Sequence, residues 1–224
     1  MSGTRMQGSM ADSSLSAASR VLPPESSEQM PDRRIPANRY LAYLALAAGG
    51  LAADLATKHW IFSWPELRQG GIYWLWEGHA GFQISLNEGA LFGLGQGLVW
   101  LYVTISVLAI VGIVVWLFVV GAARDLWLAT ALGSITAGVL GNLYDRMGLA
   151  GEVWPLQDPR AGQPVQAVRD WLLIQWNDQW RWPNFNVADS LLVVGAAALM
   201  FHAMWTPTSA ENTRQAASNL RPPG

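Results

Sequence analysis

Trp182-Pro183-Asn184-Phe185-Asn186-Val187-Ala188-Asp189-Ser190 is the stretch from which the chain is read, because an apolar run, 191–205, follows it with no charge before Glu211. That run has the length and composition of a membrane-crossing helix. Asp189 therefore sits just inside the mouth of a span, with Asn186 one turn earlier on the same helical face. An ionisable group at such a depth is costly and marks a functional site by default. The plainer alternative is a helix-start residue complementing the dipole and capping the first turn. Both effects are worth about 1–3 kcal/mol, so this stretch alone does not choose between them.

Composition narrows the class. Of 224 residues, 51% are hydrophobic and 13% charged, and the mean hydropathy is +0.20. Soluble domains carry about 25% charge, so this chain lacks the polar surface a water-soluble fold needs. Thirteen Trp, many flanking apolar runs, suit interfacial anchoring. A net charge of −2 without a basic stripe argues against nucleic acid as a partner. Zero Cys removes disulfides, thiolate nucleophiles and Cys-type zinc sites.

Working outward from Asp189, four segments are long enough to span: about 40–62, 98–120, 126–144 and 187–205. Small residues in the first and third (Ala47, Ala48, Gly49, Gly50; Gly133, Ala137, Gly138, Gly141) permit close helix approach. Residues 1–37, rich in Ser, Pro and Gln without an apolar core, read as a disordered cytoplasmic tail and not a cleavable signal peptide. Residues 207–224 form a second polar cytoplasmic tail. The domain proper is 38–206, with outer loops 63–97 and 147–186. In the first of these, 71–76 and 81–86 read as short strands joined by a turn at 77–80; the second is Trp-rich and punctuated by Pro155, Pro159, Pro164 and Pro183. The expected fold is thus an all-α membrane protein of four transmembrane helices, with a small extracytoplasmic β-element between helices one and two.

Arg33, Arg34 and Arg39 before the first span, and Arg124 in the short link after the second, favour cytoplasmic termini. That topology delivers Asp54, Lys58, Asn87, Glu88, Asn142, Asp145, Arg146, Asn186 and Asp189 to one membrane face. Dipole-complementing charges placed at random would not favour one face so heavily, and the functional reading of Asp189 gains weight accordingly.

The chemistry available there is carboxylates, carboxamides, one Arg and one Lys. The three His are scattered and no Ser–Lys or Ser–His arrangement stands out, so neither a metal site nor a serine nucleophile is supported. Two carboxylates held close in a low-dielectric site split their proton affinities, one serving as general base on water while its protonated partner donates to a carbonyl. The partner of Asp189 is to be sought among Asp145, Asp158, Asp170 and Asp178. Asp170 lies in an apolar context, whereas Asp158 and Asp178 lie in turn-like sequence. Two other classes compete: a small proton-coupled transporter or channel with Asp54, Asp145 and Asp189 as a relay, and a non-catalytic membrane scaffold.

Five blocks, Asp54-Leu55-Ala56-Thr57-Lys58, Asn87-Glu88-Gly89-Ala90-Leu91-Phe92-Gly93, Gly141-Asn142-Leu143-Tyr144-Asp145-Arg146, Val168-Arg169-Asp170-Trp171 and Phe185-Asn186-Val187-Ala188-Asp189-Ser190, resemble in order the signature blocks of lipoprotein signal peptidase (signal peptidase II). The resemblance covers about 40–205. It implies a four-helix membrane aspartic endopeptidase of the bacterial inner membrane, active at the outer face. Such an enzyme removes signal peptides from diacylglyceryl-modified prolipoproteins by cleaving before the lipidated Cys. It implies Asp170 and Asp189 as the catalytic pair, Asn87, Asn142, Arg146 and Asn186 as substrate-binding residues, and Asp54, Lys58 and Asp145 as architectural polar residues. No metal or cofactor is implied, the partners are prolipoproteins and the lipid bilayer, and a monomer is expected. The segment 148–166 is longer and richer in Pro than the family's usual link, and Arg169 stands where an apolar residue is commoner.

Overall fold

The computed structural model describes residues 34–89, 95–177 and 179–205. The expectations for 1–33, for the tail 207–224, for 90–93 of the Asn87 block and for Asp178 fall outside these residues. Among the described residues, four helices are long and apolar enough to cross a membrane: α1 (Ala37–Phe62), α3 (Val99–Val114, prolonged by a wider turn over Val115–Val119), α4 (Leu126–Arg146) and α5 (Val187–Trp205). A one-turn helix, α2 (Pro65–Arg68), follows α1.

The helix ends are set by residues visible in the sequence. Gly121, at φ 94°, turns the chain after α3 in a conformation that only glycine adopts without strain. Asp125 then caps α4, its Oδ1 accepting from Trp127 N at 2.7 Å and Leu128 N at 3.4 Å. α4 is the centre of the bundle, with 61% of its apolar window buried against 6% for α3. Its small residues permit this. A methyl on Gly138 would collide with Ala188 O of α5, and one on Gly50 of α1 would lie 2.7 Å from Ala137 Cβ. The outward faces are apolar instead: Trp100, Leu108 and Val119 on one side and Val193, Val194 and Met204 on another are all more than half exposed. Surfaces of this kind are stable against lipid, and the protein is a multi-pass membrane protein.

The β-structure is larger than the sequence suggested. Strands β1 (Tyr73–Trp76) and β2 (Ala80–Asn87) form the expected hairpin, but β3 (Val168–Asn177) and β4 (Trp180–Phe185) extend it into a four-stranded antiparallel sheet of order β1-β2-β3-β4. The expectation of an all-α chain with a β-element confined to the loop between the first two spans is therefore corrected: the second loop supplies half the sheet. The physical reason is that β3 is an interior strand, paired with β2 through Ser85↔Asp170 and Asn87↔Val168 and with β4 through Leu172↔Phe185. It buries residues on both faces, so it reads as an apolar run instead of alternating. Its turn does carry a signal, since Asn177 Oδ1 accepts from Gln179 N and Trp180 N, both at 2.9 Å. The sheet closes over the end of α1 through a core of Ile61, Phe62, Leu67 and Trp171, joined by Phe82, Leu86 and Val187. A second core, around Tyr43, Ala47, Leu117, Ala129 and Leu132, lies at the opposite end of the helices. The polar residues singled out from the sequence belong to the sheet-covered end.

Candidate active site

Asn186 precedes α5 and caps it reciprocally. Its Oδ1 accepts from Asp189 N at 2.9 Å, and its own N–H donates to Asp189 Oδ2 at 3.2 Å. The capping reading of Asp189 is thus realised, but it occupies one oxygen only. Asp189 Oδ1 points elsewhere and accepts from Asn142 Nδ2 of α4 at 2.8 Å.

The amide of Asn186 reaches further, donating to Asp170 Oδ1 at 2.7 Å and to Asn142 Oδ1 at 3.2 Å. Asp170, on β3, accepts a third-element donor as well, Asn87 Nδ2 at the end of β2, to Oδ2 at 3.3 Å. One fully buried asparagine therefore ties both carboxylates together, and Asn142 and Asn87 hold their outer sides. Asp170 is itself 2% exposed. Burial, and then the neighbouring Asp189 charge, push its carboxyl from 3.8 up to about 7, while the amides of Asn186 and Asn87 oppose the shift.

Two cavities meet at this point. Asp189, Asn142 and Arg146 line one of about 630 Å³, walled by Trp182, Phe185, Leu192, Val193 and Val194. Asp170 lines another of about 540 Å³, walled by Gln83, Ser85, Glu88 and Arg181. Asn87, Pro183 and Asn184 belong to both, so the chambers adjoin across the Asn87 amide. Arg146 donates through one terminal nitrogen to Gly89 O at 2.9 Å and lies 5.1 Å from the Tyr102 ring. Its Nε is buried with no hydrogen-bond partner among the described residues.

Beneath the carboxylates lies a buried charge cluster. Lys58 Nζ is 2.8 Å from Asp54 Oδ2 and 2.9 Å from Asp145 Oδ2, two buried ion pairs, and donates to Asn142 Oδ1 at 3.2 Å. Asp145 also receives Arg169, through Nε at 2.8 Å and the backbone N–H at 3.1 Å. Asp54 Oδ1 accepts from Ala188 N in the first turn of α5 at 2.9 Å. Two cations and two anions cancel, which is what an ion cluster away from water requires. The cluster thereby fixes α1, α4, β3 and α5 to one another and holds Asn142 from below.

Sequence reading missed two partners. Arg169 balances Asp145, and the signal was a lone Arg inside an apolar strand, which demands a buried anion. Glu88 is held by Arg160 of the segment 148–166, two loops whose meeting no local pattern encodes. Asp158 also pairs with Arg160 and stands apart from Asp170 and Asp189 in the bonding network.

A family model described as Signal peptidase (SPase) II matches residues 46–205. The chain is 48% identical to a lipoprotein signal peptidase of Rhodopirellula baltica over 169 residues, 74% of this chain and 72% of that protein. It is 35% identical to the lipoprotein signal peptidase of Pseudomonas syringae pv. tomato, over 71% of this chain and 83% of that one. In fold it is similar to a bacterial membrane enzyme solved by the in meso method at 2.3 Å resolution, with a TM-score of 0.57 and 20% identity over 81% of this chain and 93% of that one. A second such enzyme, solved at 1.9 Å, gives a TM-score of 0.57 at 22% identity, covering 74% of this chain and 94% of that one. The match over most of the chain, and relatives at these identities, show that the chain belongs to the signal peptidase II family.

Proposed function

We propose that this membrane aspartic peptidase removes signal peptides from lipid-modified prolipoproteins, cutting before the lipidated Cys with Asp170 and Asp189 as its catalytic pair. The observation that carries the assignment of the pair is the Asn186 side chain, bonded at once to Asp170 Oδ1 and, through its cap, to Asp189. Asp170, its carboxyl pushed up to about 7, holds the proton. Asp189, in the first turn of α5 with the Asn142 amide and the Asn186 N–H aimed at it, is the base. In the reaction Asp189 takes a proton from water as the water oxygen bonds to the scissile carbonyl carbon, and Asp170 donates its proton to the carbonyl oxygen. Collapse of the gem-diol intermediate breaks the C–N bond: the proton on Asp189 passes to the leaving amine, and one gem-diol hydroxyl returns its proton to Asp170, leaving the carboxylic acid and both aspartates as they began.

The apolar cavity supports the substrate class. Its wall reaches Val193 and Val194, which are exposed on the outer face of α5, so a lipid-embedded segment enters sideways from the bilayer. Acyl chains left in lipid hold the substrate in the bilayer, at about 0.8 kcal/mol per methylene, and so confine it to the depth of the site. Arg146 Nε and the amides of Asn87, Asn142 and Asn186 then serve peptide geometry. We place all four helices across the membrane with both termini cytoplasmic, so that the sheet and site lie at the outer face; the chain acts as a monomer.

Incubation of the purified protein with a lipid-modified prolipoprotein tests the reading. Wild type cleaves it, and Asp170→Asn and Asp189→Asn each lower the rate by more than about a hundredfold. Cleavage at the wild-type rate by either variant removes that residue from the pair.

A further inference from the structure

The segment 148–166 has no part in that chemistry, yet it follows a defined course. Val153 bridges Pro164, Trp154 N donates to Gln163 O at 3.0 Å, and Val165 N donates to Glu152 O at 2.9 Å, making a hairpin. Glu152 pins its base to Arg68 of α2 at 2.7 Å. Its tip presents Arg160, whose guanidinium is used on two edges and one face. Nε and Nη2 meet Asp158 Oδ1 and Oδ2 at 3.0 and 3.1 Å, while Nη1 and Nη2 meet Glu88 Oε2 and Oε1 at 2.8 and 3.2 Å. The Trp154 ring lies 3.6 Å beneath. These contacts hold the Asp158 carboxyl below its ordinary range.

An exposed ion pair alone contributes little to stability, and the Arg160 side chain is 40% exposed. A planar cation forked on two carboxylates and stacked on a ring defines a position, which a flexible ammonium does not. The position defined is that of Glu88. It directly follows Asn87, whose amide contacts Asp170, and it precedes Gly89, whose carbonyl receives Arg146. Pairing of β2 with β3 ends at Asn87, so Glu88 lies beyond the support of the sheet. Glu88 and Asp170 also face the same cavity, where an unpaired Glu88 would add negative charge.

We propose that Arg160 is a positioning residue: by fixing Glu88 it holds the Asn87 amide against Asp170 and offsets the Glu88 charge that faces the same chamber. The proposal rests on the assignment of Asp170 to catalysis. Loss of Arg160 loosens the Asn87 bond, which favours ionised Asp170, and leaves Glu88 uncompensated. Both changes raise the pH at which Asp170 gives up its proton.

The test uses the purified full chain and a lipid-modified prolipoprotein, with Arg160→Gln, Arg160→Lys, Glu88→Gln and the Arg160→Gln/Glu88→Gln double variant. Arg160→Gln should lower kcat about tenfold with KM within about twofold, and the alkaline limb of the pH profile should move upward. Arg160→Lys should lower kcat as Arg160→Gln does, since a point charge cannot make both forks, but should move the alkaline limb less because it keeps the charge beside Glu88. The double variant should be no slower than Arg160→Gln, because one contact is lost once. Glu88→Gln, of unchanged shape, gives the second measure of that contact should Arg160→Gln fold poorly, and a lowered kcat is expected from it too. Wild-type kcat and an unmoved limb in Arg160→Gln, a lowered yield with full activity per folded molecule, or strictly additive losses would each overturn the proposal. Full activity in Asp170→Asn would instead overturn the catalytic assignment, so the two failures are told apart.

Discussion

Replacing Lys58 by Met tests whether the buried cluster carries the architecture of the site. The Lys58 side chain has no exposed surface, and neither does that of Asp54 or Asp145. Met fills a similar volume with an apolar stem, so the change removes two ion pairs and the hydrogen bond to Asn142 with little loss of packing. Asp54 and Asp145 would then face Arg169 alone, leaving one uncompensated negative charge away from water. Breaking a buried ion pair from one side costs about 3–5 kcal/mol. At about 2–4 °C per kcal/mol for a chain of this size, the melting temperature in detergent should fall by about 6–20 °C. The compensating variant sharpens the reasoning. Lys58→Met with Asp54→Asn removes one charge of each sign, keeps an acceptor for the Ala188 N–H, and leaves the neutral Asp145–Arg169 pair intact. It should recover about half the loss, about 2 kcal/mol relative to Lys58→Met alone. The assay is thermal unfolding of the four proteins of this cycle. A Lys58→Met protein within about 1 kcal/mol of wild type, or a double variant as poor as the sum of its parts, refutes the charge-balance argument.

Further outcomes are open to measurement. Gly141→Ala would push a methyl into the Asp54 carboxylate, so it should destabilise by about 1–3 kcal/mol and lower cleavage; an unchanged melting temperature would contradict the close approach of α1 and α4. Asn186→Ser keeps an N-cap oxygen but loses the amide that joins the carboxylates, so activity should fall more than tenfold while stability drops by only about 1–2 kcal/mol, as read by cleavage and melting side by side. Asp170 ionises near 3.8 when unfolded and near 7 when folded. Its contribution to stability therefore declines as pH rises from about 4 to 7 and is constant beyond both limits, because the unfolded chain gives up the proton first. Cleavage should fall as pH rises through about 7, and Asn87→Ala, which removes a donor favouring the ionised form, should shift that fall to higher pH in a rate profile.

Much of the molecule was legible in one dimension because a membrane imposes local rules. An apolar run must be helical to satisfy its own backbone, so the existence and approximate extent of α1, α4 and α5 follow from the apolar runs. The 77–80 turn and the Asp125 cap are equally local. Asp189 stood out for the same reason, as an ionisable group where composition forbids a casual one. What the sequence did not convey was pairing. That the Asp54–Lys58 spacing forms a buried cluster with Asp145 and Arg169, and not an exposed i,i+4 pair worth a few tenths of a kcal/mol, depends on three other elements arriving at the same point. That 168–177 is an interior strand depends on β2 and β4 lying beside it, and its own residues show only an apolar stretch, 171–174, with polar residues at either end. Composition and local pattern suffice for the four long apolar helices, the 77–80 turn and the identity of the acidic residues. The tertiary structure alone decided which of them share an asparagine, because hydrogen bonds between distant segments reflect closure of the whole chain and leave no period in the sequence.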